Sequence, residues 1–192
     1  MHEDISPYVF IYLKSIFLGI IQGLTEFLPV SSTAHLKILP YLLGWNDPGM
    51  SFSAAIQLGS VMAIIYYFRK QISLILYSFF TIFHHRNVFK DNNTKLATYI
   101  FIASIPICIF GVLIKIYSPN FSDSNFRGFY FIAITSILMA VLLALAEVFG
   151  KGEKLLADIN ITDVILLGLA QSLAVFPGVS RSGITLASGL FS

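Results

Sequence analysis

The sequence predicts an all-α, polytopic membrane protein, and both its composition and the lengths of its apolar segments point to this class. Of the 192 residues, 56% are hydrophobic and only 11% are charged, whereas soluble domains carry about 25% charged residues. A soluble domain of this size has too little interior to bury that much apolar surface. We therefore expect a single integral membrane domain over residues 1–192, partly solvated by lipid.

Six apolar segments of unequal length follow one another along the chain. They are Val9–Ile21, Ser53–Phe68, Ile72–Phe83, Leu96–Ile116, Phe129–Phe149 and Ile161–Phe176. The fourth and fifth have 21 residues each, enough to cross a hydrocarbon core that needs about 20. The second and third have 16 and 12, which predicts short or tilted spans.

The first and last segments are interrupted. Val9–Ile21 continues into polar Gln22 and Glu26 and breaks at Pro29, and Ile161–Phe176 breaks at Pro177-Gly178. A broken helix at membrane depth is tolerated where its backbone lines a polar cavity. Two such breaks in corresponding places are typical of inverted repeats around a binding site. The pattern predicts two re-entrant helix–loop–helix segments.

The two broken segments also resemble each other in sequence. Without gaps, Leu18–His35 matches Leu167–Ile184, 149 positions later, at seven of 18 residues. The shared residues are Leu18, Gly19, Gln22, Leu24, Phe27, Val30 and Ser31. This predicts an internal repeat, the first copy covering about 8–118 and the start of the second about 126–192.

Charge and cysteine content exclude some functions and leave others open. A net charge of +2 does not argue for binding to nucleic acid. The single cysteine, Cys108, cannot form an intramolecular disulfide and is interpreted as a small buried apolar residue. Positive loops tend to face the cytoplasm, but those here are too evenly spread to fix the orientation. They contain Arg69, Lys70, His84, His85, Arg86, Lys90, Lys95, Lys151 and Lys154.

The first break carries a carboxylate and three hydroxyl groups. Gln22 and Glu26 are four residues apart and share one helix face. A carboxylate at membrane depth costs about 2.5 kcal/mol or more, so it usually pairs, binds a cation or handles protons; a packing hydrogen bond is the alternative. After Pro29, three hydroxyl residues suit the N-terminus of a short helix, which is a ready anion site. They are Ser31, Ser32 and Thr33.

His35 follows these hydroxyl groups within two helical turns. An imidazole here suits a nucleophile toward phosphorus or a general acid–base.

The second break carries the only cation of Val164–Ser192, which is Arg181. Its planar guanidinium suits bidentate binding of a phosphate, although an arginine that reaches to the membrane interface is the alternative. Gly178 and Gly183 allow the backbone to approach a ligand closely. Further hydroxyl contacts are predicted from Ser180, Ser182 and Thr185.

These motifs together resemble the undecaprenyl-diphosphate phosphatase family linked to bacitracin resistance. The matching stretches are Gln22 to Glu26, Ser31 to His35, Ile56 to Ser60 and Pro177 to Thr185. The resemblance covers the whole chain. It implies a bacterial plasma-membrane enzyme that removes the terminal phosphate of a C55 isoprenyl diphosphate and recycles the lipid carrier of cell-wall synthesis. A homodimer is compatible with this reading.

The resemblance also implies the roles of individual residues. Glu26, Ser32, His35 and Arg181 would be catalytic, with Ser32 and His35 competing as the nucleophile and His35 otherwise the acid–base. Glu26 and Gln22 would hold a divalent cation, Mg²⁺ or Ca²⁺. The diphosphate would contact Gln22, Ser31, Thr33, Gly178, Ser180, Ser182 and Thr185.

The sequence departs from the family pattern at two points. Gln22 replaces a glutamate that many members carry, which removes one charge from the metal site. The family is usually longer, so the chain is expected to be C-terminally incomplete after Ser192. Two alternatives follow: a lipid-phosphate transporter or flippase, since broken inverted repeats are also transporter architecture, and an inactive truncated remnant.

Overall fold

A computed structural model describes residues 7–85, 92–121, 125–150, 152, 154, 155 and 157–192. Within these ranges the protein is helical, with no strand, which confirms the predicted all-α class. The α-helices are α1 Pro7–Phe27, α2 Ser32–Leu42, α3 Gly49–Tyr67, α4 Arg69–His85, α5 Asn92–Tyr117, α6 Phe129–Phe149, α7 Ile161–Ser172 and α8 Arg181–Phe191. Arg86, Lys90 and Lys151 lie outside the described residues, as do the side chains of His84 and His85.

Four of the described helices, α1, α3, α5 and α6, are long and apolar enough to cross a membrane. Helix α6 has the bounds that were predicted, and α5 contains the predicted span Leu96–Ile116. The short span predicted at Ser53–Phe68 was wrong in length, because α3 starts at Gly49 and has 19 residues. Hydropathy alone missed this first turn because it contains Gly49 and polar Ser51, which a helix accommodates readily.

Large apolar side chains are widely exposed on the described helices, whereas the interior is small and tightly packed. This distribution fits a protein whose outer surface contacts lipid. Cys108, which was predicted to be buried, is exposed on α5. The prediction was wrong because only some faces of this apolar helix pack against other helices. The fold and composition together make the chain an integral membrane protein.

Helices α5 and α7 approach closely at a glycine. Tyr99, Ala103 and Val164 form a buried cluster between them. A Cβ atom on Gly168 would lie 2.7 Å from the carbonyl oxygen of Ala103, so the absence of a side chain permits this approach. The start of α7 is fixed by a capping box, in which Asn160 accepts from the N–H of Asp163 and Asp163 accepts from the N–H of Asn160.

The break after α7 is held against α6. Thr135 Oγ1 donates to the carbonyl oxygen of Pro177 at 2.8 Å. Gly178 has φ of +94°, and a Cβ atom there would lie 1.9 Å from Thr135 Oγ1 and 2.8 Å from the Ile132 carbonyl oxygen. Both the backbone conformation and the lack of space require glycine at this position. Helix α6 thus sets the position from which α8 starts.

We expect Gly178→Ala to lower the free energy of unfolding by about 2–4 kcal/mol, since left-handed backbone costs about 1–2 kcal/mol and overpacking about 1–3 kcal/mol. Thermal unfolding of the purified protein in detergent measures this. Gly111→Ala is the matched control, because a Cβ atom at Gly111 meets nothing within 4 Å. Equal thermal midpoints for the two variants would contradict the assigned role of Gly178.

Candidate active site

The two broken segments begin their second helices in the same way. Ser31 is the N-cap of α2 and its Oγ accepts from the N–H of Ala34 at 3.2 Å. Ser180 is the N-cap of α8 and its Oγ accepts from the N–H of Gly183 at 3.2 Å. The two serines are separated by the same 149 positions as the sequence match. The predicted helix N-terminus after the first break is confirmed, and the second break repeats its local structure.

The two breaks also touch each other. Ser182 Oγ donates to the carbonyl oxygen of Leu28 at 2.9 Å. A Cβ atom on Gly183 would lie 3.3 Å from the carbonyl oxygen of Pro29, so the start of α8 packs directly against the end of the first segment. Residues that are about 150 positions apart in sequence are therefore neighbours at one place in the fold.

Glu26 is the centre of a polar network at this junction. Its Oε2 accepts from Gln22 Nε2 at 2.9 Å and from Ser32 Oγ at 3.0 Å. Its Oε1 accepts from Gln57 Nε2 at 3.2 Å. Gln22 is only 1% exposed, so the amide at this position lies inside the protein. Three donors from α1, α2 and α3 offset the cost of placing this carboxylate among apolar helices.

A small cavity of about 70 Å³ lies between the two breaks. Its lining is polar and includes the Glu26 carboxylate and the Arg181 side chain. The residues of this small cavity are Thr25, Glu26, Val30, Ser31, Ser32, Thr33, Gln57, Ala174, Val179, Ser180, Arg181 and Ser182. A carboxylate, a guanidinium and several hydroxyl groups thus surround one space.

A large cavity of about 680 Å³ lies beside the small one. The two share Ser32, Thr33, Gln57, Ala174 and Val179. Gln22 lines the large cavity, as do two cations that the sequence interpretation did not select, Lys37 and Arg127. Their exposure to this space was not predictable, because each stands in an otherwise unremarkable stretch and they are ninety residues apart.

Phe176 lines the large cavity and packs among other aromatic rings. Its ring centroid lies 6.0–6.4 Å from four other phenylalanine rings. These belong to Phe110, Phe121, Phe126 and Phe131. Aromatic contacts at such distances stabilise a defined arrangement, which holds the chain just before Pro177 against α5 and α6.

The structure brings most of the predicted residues to the small cavity, but not all. Thr185 Oγ1 donates to the carbonyl oxygens of Arg181 and Ser182, at 2.9 and 3.1 Å, and so closes the first turn of α8. Gly178 acts through the turn described above. His35 is exposed and lines neither cavity. Its Nδ1 lies 2.8 Å from the carbonyl oxygen of Ser31.

The polar groups around Glu26 offer few charged ligands to a divalent cation. Among the described residues, no three His, Cys, Asp or Glu side chains lie together as a metal cluster. The oxygen atoms near this position are nevertheless hard ligands, and they belong to Glu26, Ser32, Gln22 and Gln57. Mg²⁺ commonly uses one or two carboxylates plus water and substrate phosphates. These residues fit a cation that is completed by its substrate rather than one enclosed by protein.

A helical membrane protein with a carboxylate, an arginine and two helix N-termini around one cavity belongs to the class that is equipped to bind phosphate groups. The family model described as "Bacitracin resistance protein BacA" matches residues 15–192. The chain belongs to this family.

Curated relatives give the same result. The chain is 70% identical over 192 residues, all of this chain and 69% of the relative, to "Undecaprenyl-diphosphatase" of Prochlorococcus marinus (strain NATL2A). It is 47% identical to the protein of that name from strain MIT 9313 and 44% identical to that from Synechococcus elongatus. Both alignments include 93% of this chain, and they cover 59% of the first of these relatives and 62% of the second.

Proposed function

We propose that the protein is an undecaprenyl-diphosphate phosphatase of the bacterial plasma membrane, which hydrolyses the terminal phosphate of the C55 isoprenyl diphosphate and regenerates the lipid monophosphate carrier. The observation that carries this proposal is the meeting of Glu26, Ser32 and Arg181 at one small cavity between the two breaks. Relatives that share up to 70% of its residues carry the name of this activity.

Ser32 is the proposed nucleophile. Its hydroxyl group donates to Glu26 at 3.0 Å, the geometry of a nucleophile paired with its base. In the first step Ser32 Oγ attacks the terminal phosphorus and its proton passes to the Glu26 carboxylate. The bond from phosphorus to the bridging oxygen breaks, and the lipid monophosphate leaves. Glu26 passes its proton to the departing lipid monophosphate and so becomes a carboxylate again. Water then attacks the phosphoserine with Glu26 as base, the bond from phosphorus to Ser32 Oγ breaks, the proton on Glu26 returns to Oγ, and inorganic phosphate is released.

Arg181 and the two helix N-termini stabilise the charge that develops during transfer. Phosphoryl transfer depends mainly on positioning and on electrostatic stabilisation of the equatorial oxygens. Arg181, the first residue of α8, supplies a planar, positively charged guanidinium group. The first N–H groups of α2 and α8 add donors and a partial positive charge. The apolar chain of the substrate lies among the spans.

A divalent cation, Mg²⁺ or Ca²⁺, is proposed at Glu26. When bound, it would neutralise phosphate charge and polarise the oxygens under attack. Glu26 would contribute the carboxylate, and Ser32 and the amides of Gln22 and Gln57 further polar groups. In the structure Gln22 and Gln57 both present Nε2 to Glu26, so each amide would need to rotate before its oxygen could serve as a ligand.

The repeated breaks support an inverted-repeat architecture with two re-entrant segments. The support consists of the equivalent caps at Ser31 and Ser180 and the contact between Ser182 and Leu28. In this arrangement the first copy supplies the carboxylate and the nucleophile, and the second supplies the cation.

Phosphate release tests the proposed activity. The purified chain in detergent with Mg²⁺ should convert undecaprenyl diphosphate into one inorganic phosphate and one undecaprenyl monophosphate. Release of pyrophosphate would contradict cleavage at the terminal phosphate. Movement of the lipid across vesicle membranes without any phosphate release would favour a transporter instead, and an inert chain would favour the remnant.

We expect Ser32→Ala to stop formation of a covalent phosphoenzyme, whereas His35→Asn should still form it. The reason is that Ser32 lines the cavity and contacts Glu26, while His35 lines neither cavity. Acid-quenched single turnovers with labelled terminal phosphate measure this, because phosphoserine survives acid and phosphohistidine does not. An acid-labile adduct that disappears in His35→Asn would contradict the assignment.

A further inference from the structure

Two cations at the large cavity have no role in the mechanism above. Lys37, on α2, donates from Nζ to the carbonyl oxygen of Arg127, and its Nζ lies 5.3 Å from the Phe129 ring centroid. Arg127, in the short 3-10 turn Asn125–Arg127, donates from Nη1 to Met50 Sδ at 2.9 Å. Both side chains are half-buried, and together they connect α2, α3 and the start of α6.

The charges of this cation pair are not fully offset by the described residues that line the large cavity. Asp47 is the only acidic side chain among the described residues that line the large cavity, so it can offset at most one of the two positive charges. A thioether is a weak acceptor, so most of the five donors of Arg127 remain for a ligand. Gly128, the N-cap of α6, also lines the cavity, and a helix N-terminus adds positive potential.

The position of the pair relative to the small cavity indicates what it binds. The two cavities share Ser32 and Thr33. A diphosphate whose terminal phosphate lies beside Ser32 therefore has its second phosphate at or beyond this shared wall, in the large cavity. Two cations at this cavity suit a phosphate group, and ammonium and guanidinium groups are its usual partners in proteins.

We propose that Lys37 and Arg127 form a second anion subsite, which binds the phosphate that stays on the isoprenoid chain while Arg181 binds the phosphate that is removed. This inference rests on the proposed function. It assigns the pair to substrate positioning and to recognition of the phosphate that the diphosphate substrate and the monophosphate product share, and not to the chemical step.

The test uses Lys37→Gln in the full chain, because glutamine removes the charge but keeps a donor for the Arg127 carbonyl. KM for undecaprenyl diphosphate and the inhibition constant of undecaprenyl monophosphate should each rise about tenfold, the loss of one charge-assisted hydrogen bond. The kcat value should change little, since binding common to substrate and transition state is lost. Inhibition by inorganic phosphate should be unchanged, because Arg181 is intact.

Three further variants sharpen the result. Lys37→Arg should restore KM, and Arg127→Gln should raise KM while its backbone carbonyl stays in place. Lys115→Gln removes a cation near the end of α5, outside both cavities, and should leave all constants unchanged.

If the wild type hydrolyses the lipid and both Lys37→Gln and Arg127→Gln keep the wild-type KM, this inference is overturned and the proposed function is not. Weakened inhibition by inorganic phosphate, with monophosphate unaffected, would also overturn it. Failure of the wild type to hydrolyse the lipid would instead overturn the proposed function.

Discussion

Arg181→Ala is expected to lower kcat/KM for undecaprenyl diphosphate by about 1000-fold, the lower range for removing an arginine that stabilises phosphoryl transfer. The guanidinium lines the small cavity at the first residue of α8, opposite the Glu26–Ser32 pair. Arg181 is the only cation among the described residues that line the small cavity, so without it the terminal phosphate would face the Glu26 carboxylate unbalanced. Phosphate release under initial-rate conditions measures the effect.

Folding should not account for this loss. Arg181 is exposed, and alanine is a strong helix former, so the thermal midpoint of Arg181→Ala should stay close to that of the wild type. Arg69→Ala is the matched control, because Arg69 is exposed and lines neither cavity. Similar activity losses in the two variants would show that Arg181 acts through general surface charge and not through the site.

Glu26→Gln is expected to lower kcat by at least about 100-fold, the lower range for loss of a general base. Glutamine keeps the size of the side chain but cannot take the proton of Ser32. It also removes the only carboxylate among the described residues that line the small cavity, so the dependence of activity on Mg²⁺ should shift to higher concentrations. Steady-state rates across a Mg²⁺ titration measure both effects.

Glu147→Gln makes the same chemical change at an exposed site near the end of α6. It should leave both kcat and the Mg²⁺ dependence unchanged. If Glu26→Gln keeps near-normal kcat, then Glu26 is only a packing residue for Gln22, Ser32 and Gln57, and the proposed base must be sought elsewhere.

Local patterns predicted the elements that depend on local physics. The apolar run Phe129–Phe149 gave α6 with its observed bounds, because lipid solvation requires an uninterrupted apolar helix. The serine after each proline break predicted an N-cap at Ser31, and the matching position Ser180 plays the same part. Here sequence and structure are connected through one or two helical turns.

Contacts between helices could not be predicted in this way. Gln57 was noted only as part of a shared stretch, yet it donates to Glu26 from 31 positions away. Which face of α3 turns toward α1 depends on packing between helices, and the nearly uniform hydropathy of α3 does not mark that face. Lys37 and Arg127 were missed for the same reason, since neither is unusual until the fold brings them together.

Non-additivity of Glu26→Gln and Arg181→Ala tests the central claim, that both breaks build one active site. Phosphate release is measured for the wild type, both single variants and the double variant in the same detergent. Groups that act as a unit lose little more when both are removed than when one is. We therefore expect the kcat/KM of the double variant to stay near that of the more impaired single variant. Losses that multiply fully would contradict the claim, because they would show that Glu26 and Arg181 act independently.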